Sequence, residues 1–432
     1  MVAKQRPWIA FGAFVLWLLL FPLQGPLLYA APPTPPPPVG LFLLPHAAVL
    51  GAFGLSEPLR RKLGILSAGG AIACAVLTLA WPLLTTGHTT VLGLVGVLSA
   101  PVALRAASGL ARARRPGHAG VGGLVAANLA FPLFVHLPGP PVVRAACIAG
   151  LLLPSLGGRP LPAVPRSHVE HGSYFWFLLA MYGLNGVFYE QLFPAYAAVV
   201  SFPGIEVLPY AAAAGVSLYL ARKRLKNILL SGIALGFLAL AAFDRSDPLH
   251  VYGSMWLMQG ASGFLDAFVV LLCLNQPDPL RAFALGIGAV CAGLGVGCMA
   301  VHVAGPSGTS IPLIGAFFLN GALLVLYAIS ADSEGSASAS RPEPPGEPGL
   351  SRLSSVPFSC REYEVLRYLI QGLSNRAIAE RLGISPSSVQ TYARRIYAKT
   401  DVSGREELLE RVSRACDTAP PRAWPVRFPG RK

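Results

Sequence analysis

Long apolar runs alternate with short polar connections from the N-terminus to about residue 330, and the pattern then changes to the short amphipathic periods of soluble helices. A helix needs about 20 mostly apolar residues to cross the hydrocarbon core of a bilayer. Runs of that kind occupy residues 8–29, 39–56, 64–84, 90–110, 119–137 and 141–157, and, after a polar break, 174–200, 204–221, 227–243, 250–274, 282–303 and 311–330. The pattern predicts twelve helical spans. Several carry Gly or Pro, which membrane helices tolerate because their neighbours re-satisfy the freed backbone groups.

Composition agrees. Of 432 residues, 53% are hydrophobic and only 12% charged, about half the charged share of an ordinary soluble domain. The net charge of +14 matters through its placement. Every second connection is basic: Lys4 and Arg6; Arg60, Arg61 and Lys62; Arg105, Arg112, Arg114 and Arg115; Arg159 and Arg166; Arg222, Lys223, Arg224 and Lys226; then Arg281. The intervening connections hold little beyond Arg144 and Arg245. Lys and Arg accumulate on cytoplasmic loops, so the expected topology is a multi-pass inner-membrane protein with both termini cytoplasmic. A signal peptide over Lys4 to Ala31 is the alternative for the first run, and it leaves the C-terminus on the same side. The seven cysteines form no CxxC and mostly lie inside apolar runs, so they read as packing residues rather than a disulfide or zinc framework.

An internal echo links PLRRKLGILSAGG (Pro58 to Gly70), after the second run, with LARKRLKNILLSG (Leu220 to Gly232), after the eighth. Two six-helix halves, each with a basic clamp between its second and third helices, resemble the major facilitator superfamily. That resemblance implies an all-α bundle with a twofold internal relation.

Acidic residues inside the runs are Asp266, Glu190 and Glu206. Asp266, in GASGFLDAFVVLL, sits near mid-helix, where burying a charge is costly. It is therefore the candidate sensing residue, the alternative being a protonated acid that glues two helices. Asn128, Asn185, Gln259 and Asn320 are expected to hydrogen-bond between helices. Glycines 286, 288, 293, 295 and 297 predict close packing of the eleventh helix. The HVEH at 168–171 has HxxH spacing but no third ligand nearby, so no metal is expected. No nucleophile–base pair or cofactor-binding loop points to an enzyme, and no cofactor is expected.

From Ala331 to Val356 the sequence turns to Ser, Gly, Pro and Glu, the composition of a disordered tether. Residues 357–415 predict a small four-helix domain, and residues 416–432 a disordered basic tail. Ser359 with Glu362 forms a capping box, Gly372 stops the first helix, and Ser374 caps the second. Ser385 caps the third, with Pro386 at its first position. Val389, Ala393 and Ile396 make one stripe of that helix, leaving a basic, hydrogen-bonding outer surface. Helix, tight turn and second helix with such a surface is the helix-turn-helix arrangement.

REYEVL (361–366), SNRAIA (374–379), Ser388, Val389, Ile396, Lys399, Val402 and Arg405 fall in register with the LuxR-type helix-turn-helix domain, which this segment resembles over about sixty residues. Gln390, Tyr392 and Thr400 depart from the family's usual Lys, His and Leu. The resemblance implies that Gln390, Thr391 and Arg394 read bases while Ser388, Tyr392, Arg395 and Lys399 meet phosphates. It also implies that Leu408, Leu409 and Val412 of the fourth helix share the core and a dimer contact. Side-chain chemistry agrees, since Gln pairs with adenine, Arg with guanine, and Thr touches a thymine methyl. The expected function is a membrane-bound one-component transcription regulator, homodimeric on double-stranded DNA and responsive to a small-molecule effector. The competing reading is a secondary transporter with a fused DNA-binding domain.

Overall fold

The computed structural model describes residues 7–23, 25–30, 37–157, 173–222, 224–304, 315, 358, 360–382 and 384–417. The chain forms two compact units, Met1–Asp332 and Ser333–Lys432. Among the described residues both are helical, joined by turns.

The first unit contains α1 (Pro7–Leu20), α2 (Gly40–Leu55), a short α3 (Glu57–Arg61), α4 (Leu63–Ala80), α5 (His88–Gly109), α6 (Pro116–Val135) and α7 (Pro141–Gly150). After the polar break come α8 (Ser173–Val199), α9 (Val207–Ala221), α10 (Leu225–Ala242), α11 (Pro248–Leu274) and α12 (Pro279–Ala304). Eleven of the twelve expected spans fall on these helices, and the twelfth, apart from Gly315, lies outside the described residues. Their starts follow local chemistry: Pro116 and Pro141 sit in the first turns of α6 and α7, where proline's missing N–H costs nothing. Asp247 caps α11 by accepting from the Leu249 N–H at 2.9 Å. The first span is shorter than its apolar run. Its helix ends at Leu20, before Pro22, and the chain continues through turns to a 3-10 turn at Leu28–Ala30.

Among the described residues six helices of this unit are long and apolar enough to cross a membrane, and α1, α2, α7 and α9 are shorter apolar helices. Their outward faces carry Ile65, Leu133 and Val303, each at least 72% exposed. A water-soluble domain does not display apolar surface on this scale. The second unit behaves conventionally, exposing no large hydrophobic residue but Leu409 among its described positions. One solvent is hydrocarbon, the other water.

Helix pairing in the first unit repeats with a twofold relation. The pairs α1–α6, α2–α5, α4–α5 and α1–α5 recur as α8–α12, α9–α11, α10–α11 and α8–α11. Contacts between the halves repeat as well, α2–α12 matching α6–α9 and α5–α12 matching α6–α11. This is the paired-halves bundle that the internal echo predicts. Glycines permit its closest approaches. A Cβ at Gly293 would meet the Leu179 carbonyl of α8, one at Gly297 the Gly183 carbonyl, and one at Gly295 the Leu43 and Leu44 side chains of α2. Helix α12 thus presents small residues to both halves, where van der Waals contact replaces the hydrophobic driving force that lipid abolishes.

Arginines at the basic end close the bundle. Arg60 donates to the Phe53 and Gly54 carbonyls at 2.9 and 3.0 Å, and Arg281 donates to the same Gly54 carbonyl at 3.2 Å. Arg105 reaches Ser67 of α4 at 3.1 Å and the Leu156 and Gly157 carbonyls at 3.1 Å. Cations at these exposed C-terminal carbonyls also favour the helix dipoles.

The second unit consists of α13 (Cys360–Ile370), α14 (Asn375–Leu382), α15 (Pro386–Thr400) and α16 (Arg405–Asp417). Val365, Leu366 and Leu369 of α13, Ile378 of α14, Val389 and Ile396 of α15 and Leu408 of α16 are fully buried in its core. Gly372 adopts φ +86° where α13 ends, a conformation costly for any residue with a Cβ.

Candidate functional site

Helices α14 and α15 each open on a serine cap. Ser374 accepts from the Ala377 N–H at 3.3 Å, and Ser385 accepts from the Ser388 N–H at 3.1 Å with Pro386 opening α15. These caps fix where α15 begins, and therefore which residues its 3.6-residue period turns outward. Val389, Ala393, Ile396 and Thr400 point into the core, while Gln390, Thr391, Arg394 and Arg395 are exposed. The three expected base-reading residues thus share one solvent-facing surface of a packed helix.

Local bonding refines each of them. The Thr391 hydroxyl donates to the Ser387 carbonyl at 3.0 Å, leaving its methyl as the outward group. Ser388 Oγ and Ser387 Oγ both lie 2.8 Å from Ser385 Oγ. Tyr392 is half-buried against the core, so its ring packs while its edge reaches the surface. Lys399 sits differently from the other phosphate candidates. Its ammonium donates at 2.7 Å to Glu362, whose side chain is only 5% exposed, and the pair ties α15 to α13. Ser359, the partner expected for Glu362 in a capping box, lies outside the described residues. Arg405 donates to the Leu369 and Leu373 carbonyls at 2.9 and 2.8 Å, holding the start of α16 over the end of α13. The sequence shows these residues in register but not their partners, which lie more than thirty positions away.

The second candidate site is in the membrane unit. Asp266 on α11 accepts from the Tyr182 hydroxyl of α8 at 2.5 Å and from the Tyr210 hydroxyl of α9 at 2.7 Å, one on each carboxylate oxygen. Asn128 of α6 hydrogen-bonds Tyr210 in turn, and its amide also donates to the Leu124 carbonyl at 2.9 Å. The chain Asn128–Tyr210–Asp266–Tyr182 therefore joins the first half to three helices of the second. Both tyrosines are buried, whereas Asp266 keeps partial exposure. Cys291 of α12 lies within electrostatic reach of the carboxylate. Tyr182 and Tyr210 read as ordinary aromatics in the sequence, and only the fold reveals them as its partners.

The remaining polar candidates divide. Glu206 accepts from the Gly204 N–H at 2.7 Å and from Tyr196 at 3.3 Å, a loop-capping arrangement. Glu190 hydrogen-bonds Cys298. Asn185 and Gln259 are partly exposed and have no hydrogen-bond partner among the described residues. His168, His171 and Asn320 lie outside the described residues. A further buried polar group, which no sequence pattern marks, is His46 of α2, 2% exposed, whose Nδ1 lies 3.1 Å from the Gly96 carbonyl and 2.9 Å from Ser99 Oγ of α5.

Residues 356–412 match the family model of the bacterial regulatory proteins, luxR family. Helix-turn-helix-type transcriptional regulators of Mycobacterium bovis and Mycobacterium tuberculosis are each 42% identical to this chain over 53 residues, 12% of it and 6% of their own length. The monoamine regulon transcriptional regulator of Klebsiella aerogenes is 43% identical over 55 residues, 13% of this chain and 24% of its own. The chain thus spans a quarter or less of these regulators' length. The crystal structure of the nucleoside transporter NupG aligns with 76% of this chain and 98% of its own, at 16% identity and a TM-score of 0.45. The C-terminal unit is a luxR-family helix-turn-helix domain, carried by a chain whose other unit is a bundle of apolar, membrane-type helices.

Proposed function

We propose that this protein is a membrane-bound one-component transcription regulator. Its C-terminal domain binds double-stranded promoter DNA as a homodimer, and its membrane unit senses a small-molecule effector through Asp266. It sits in the inner membrane with both termini cytoplasmic. The observation that carries the reading is the surface of α15: Gln390, Thr391 and Arg394 are exposed together, while Val389, Ala393 and Ile396 of that helix are committed to the core. A helix anchored in this way offers its polar face to the major groove without rearrangement. Arg395, Ser388 and Tyr392 flank that face and serve the phosphates, with Lys399 at the far end of the helix. Leu409, exposed on α16 beside the buried Leu408, supplies the apolar element of a dimer contact.

Chromosomal fragments recovered by crosslinking the full chain in cells should share a sequence motif with paired half-sites. Arg394→Ala should weaken that enrichment and relax the motif at one position while membrane insertion stays normal. Fragments with no shared motif would overturn the reading. The twofold pairing of helices supports a second reading, a transporter with a regulatory domain. Uptake or efflux in vesicles that scales with the amount of the full chain would favour it.

A further inference from the structure

We infer that the Asp266 site binds a small organic monocation, with Asp266 as its counter-ion and Tyr182 and Tyr210 as its aromatic walls. The assignment rests on reading Asp266 as the sensing group. The hydrogen-bond pattern carries it. Asn128 uses its amide hydrogens on the Leu124 carbonyl and on Tyr210, so the Tyr210 hydroxyl hydrogen is left for Asp266. Tyr182 donates to the other carboxylate oxygen. Both oxygens therefore accept, the arrangement that suits an ionised carboxylate. Yet among the described residues no lysine or arginine acts on Asp266, whose hydrogen-bond partners are the two phenols. Buried charge is retained in a membrane protein when it is paired or when it serves a ligand or ion. Among the described residues this site supplies a carboxylate and two phenols, and no cation.

The surroundings narrow the class. A hard metal ion needs several oxygen donors, and no group of three His, Cys, Asp or Glu able to hold one occurs among the described residues. Aromatic rings beside a carboxylate favour an ammonium or amidinium carried on an organic body, through the ring quadrupole. One carboxylate matches one positive charge. Asp266 keeps partial exposure, unlike the two tyrosines that bond it. An occupant drawing on Asp266 would also alter its bond to Tyr210, whose link to Asn128 crosses from one half of the bundle to the other.

The test uses the full chain in lipid nanodiscs and three isosteres that differ in charge: benzylammonium, benzyl alcohol and benzoate, followed by a panel of alkyl- and arylammonium ions. At least one ammonium ion should raise the thermal midpoint of the membrane unit, and its neutral and anionic isosteres should not. Asp266→Asn should weaken that binding at least tenfold. Should this variant fail to insert, labelling of a chain retaining Cys291 as its sole cysteine replaces it: the same ammonium ion should slow maleimide reaction there, and benzoate should leave it unchanged. Stabilisation by benzoate, or an ammonium response that survives in Asp266→Asn, would overturn the inference, as would silence across the whole panel. Specific DNA binding measured on the same preparation separates its failure from failure of the regulator reading.

Discussion

Arg394 carries an exposed guanidinium one helical turn beyond Gln390 and Thr391, away from the Val389–Ile396 stripe. Its removal should leave the domain folded. As a bidentate reader of guanine, Arg394→Ala should cost about 1–3 kcal/mol on the selected site and relax selectivity at one position, with much smaller loss on scrambled DNA. Binding of the full chain to both DNAs over a salt series measures this, and equal losses on both would make Arg394 a phosphate contact. Lys399 gives a contrasting expectation, because its ammonium is committed to the buried Glu362. A phosphate contact alone would reduce the salt slope by about one unit. Stranding Glu362 without its cation should in addition destabilise the domain by about 1–3 kcal/mol, less than for a fully buried pair because Lys399 keeps contact with water. Denaturation followed by near-UV signals of the domain's tyrosines should show that loss for Lys399→Ala and not for Arg394→Ala.

At the scale of elements, α12 depends on glycine where it crosses α8. A Cβ at Gly297 would collide with the Gly183 carbonyl, which is backbone and cannot swing aside, whereas a Cβ at Gly51 of α2 meets open space. Gly297→Ala should therefore lower the thermal midpoint of the membrane unit in detergent by several degrees, and Gly51→Ala should leave it within about a degree. Equal midpoints would show that the two helices part without cost. Helix α16 begins on another local device. Glu407 accepts from the Ser403 N–H at 2.7 Å and the Ser403 hydroxyl at 2.6 Å, and these bonds hold its carboxyl below the ordinary glutamate range. The folded value lies below the unfolded one, so this contribution is present above the unfolded value of about 4.3 and is lost as pH falls through the folded value. Stability of the C-terminal domain should decline through that acid window, and Glu407→Gln should flatten the decline. An unchanged pH profile would show that the Ser403 contacts add nothing to folding.

For the molecule as a whole, the paired halves leave one orientation consistent with the basic connections. Arg60, Arg105 and Arg281 converge on helix ends at the same side of the bundle, two of them on the single Gly54 carbonyl. Retention of Lys and Arg on the cytoplasmic side predicts that reporter fusions after Arg114 signal from inside, and that fusions after Gly87 and Ser307 signal from outside. A cytoplasmic signal at Gly87 would invert the topology and put the DNA-binding domain in the wrong compartment. The basic connections set the sides of the loops, and the cytoplasmic position of the C-terminal domain requires in addition the expected twelfth span, 311–330, of which Gly315 alone is among the described residues.

The helix positions, the caps at Ser374 and Ser385, the stop at Gly372 and the outward face of α15 were all legible along the chain, because each depends on neighbours within one or two helical turns. The same holds for the apolar spans, since a bilayer selects them by length and composition alone. Asp266 stood out because a carboxylate in an apolar run is costly wherever it points. What it touches was another matter. Tyr182 lies 84 positions away and Tyr210 lies 56, and nothing in periodicity or spacing distinguishes them from other tyrosines of the bundle. The Lys399–Glu362 and Arg405–Leu369 contacts were hidden for the same reason. A side chain's local sequence sets the direction it faces, but its partner is chosen by how helices cross, and that follows from packing between surfaces distant in the chain.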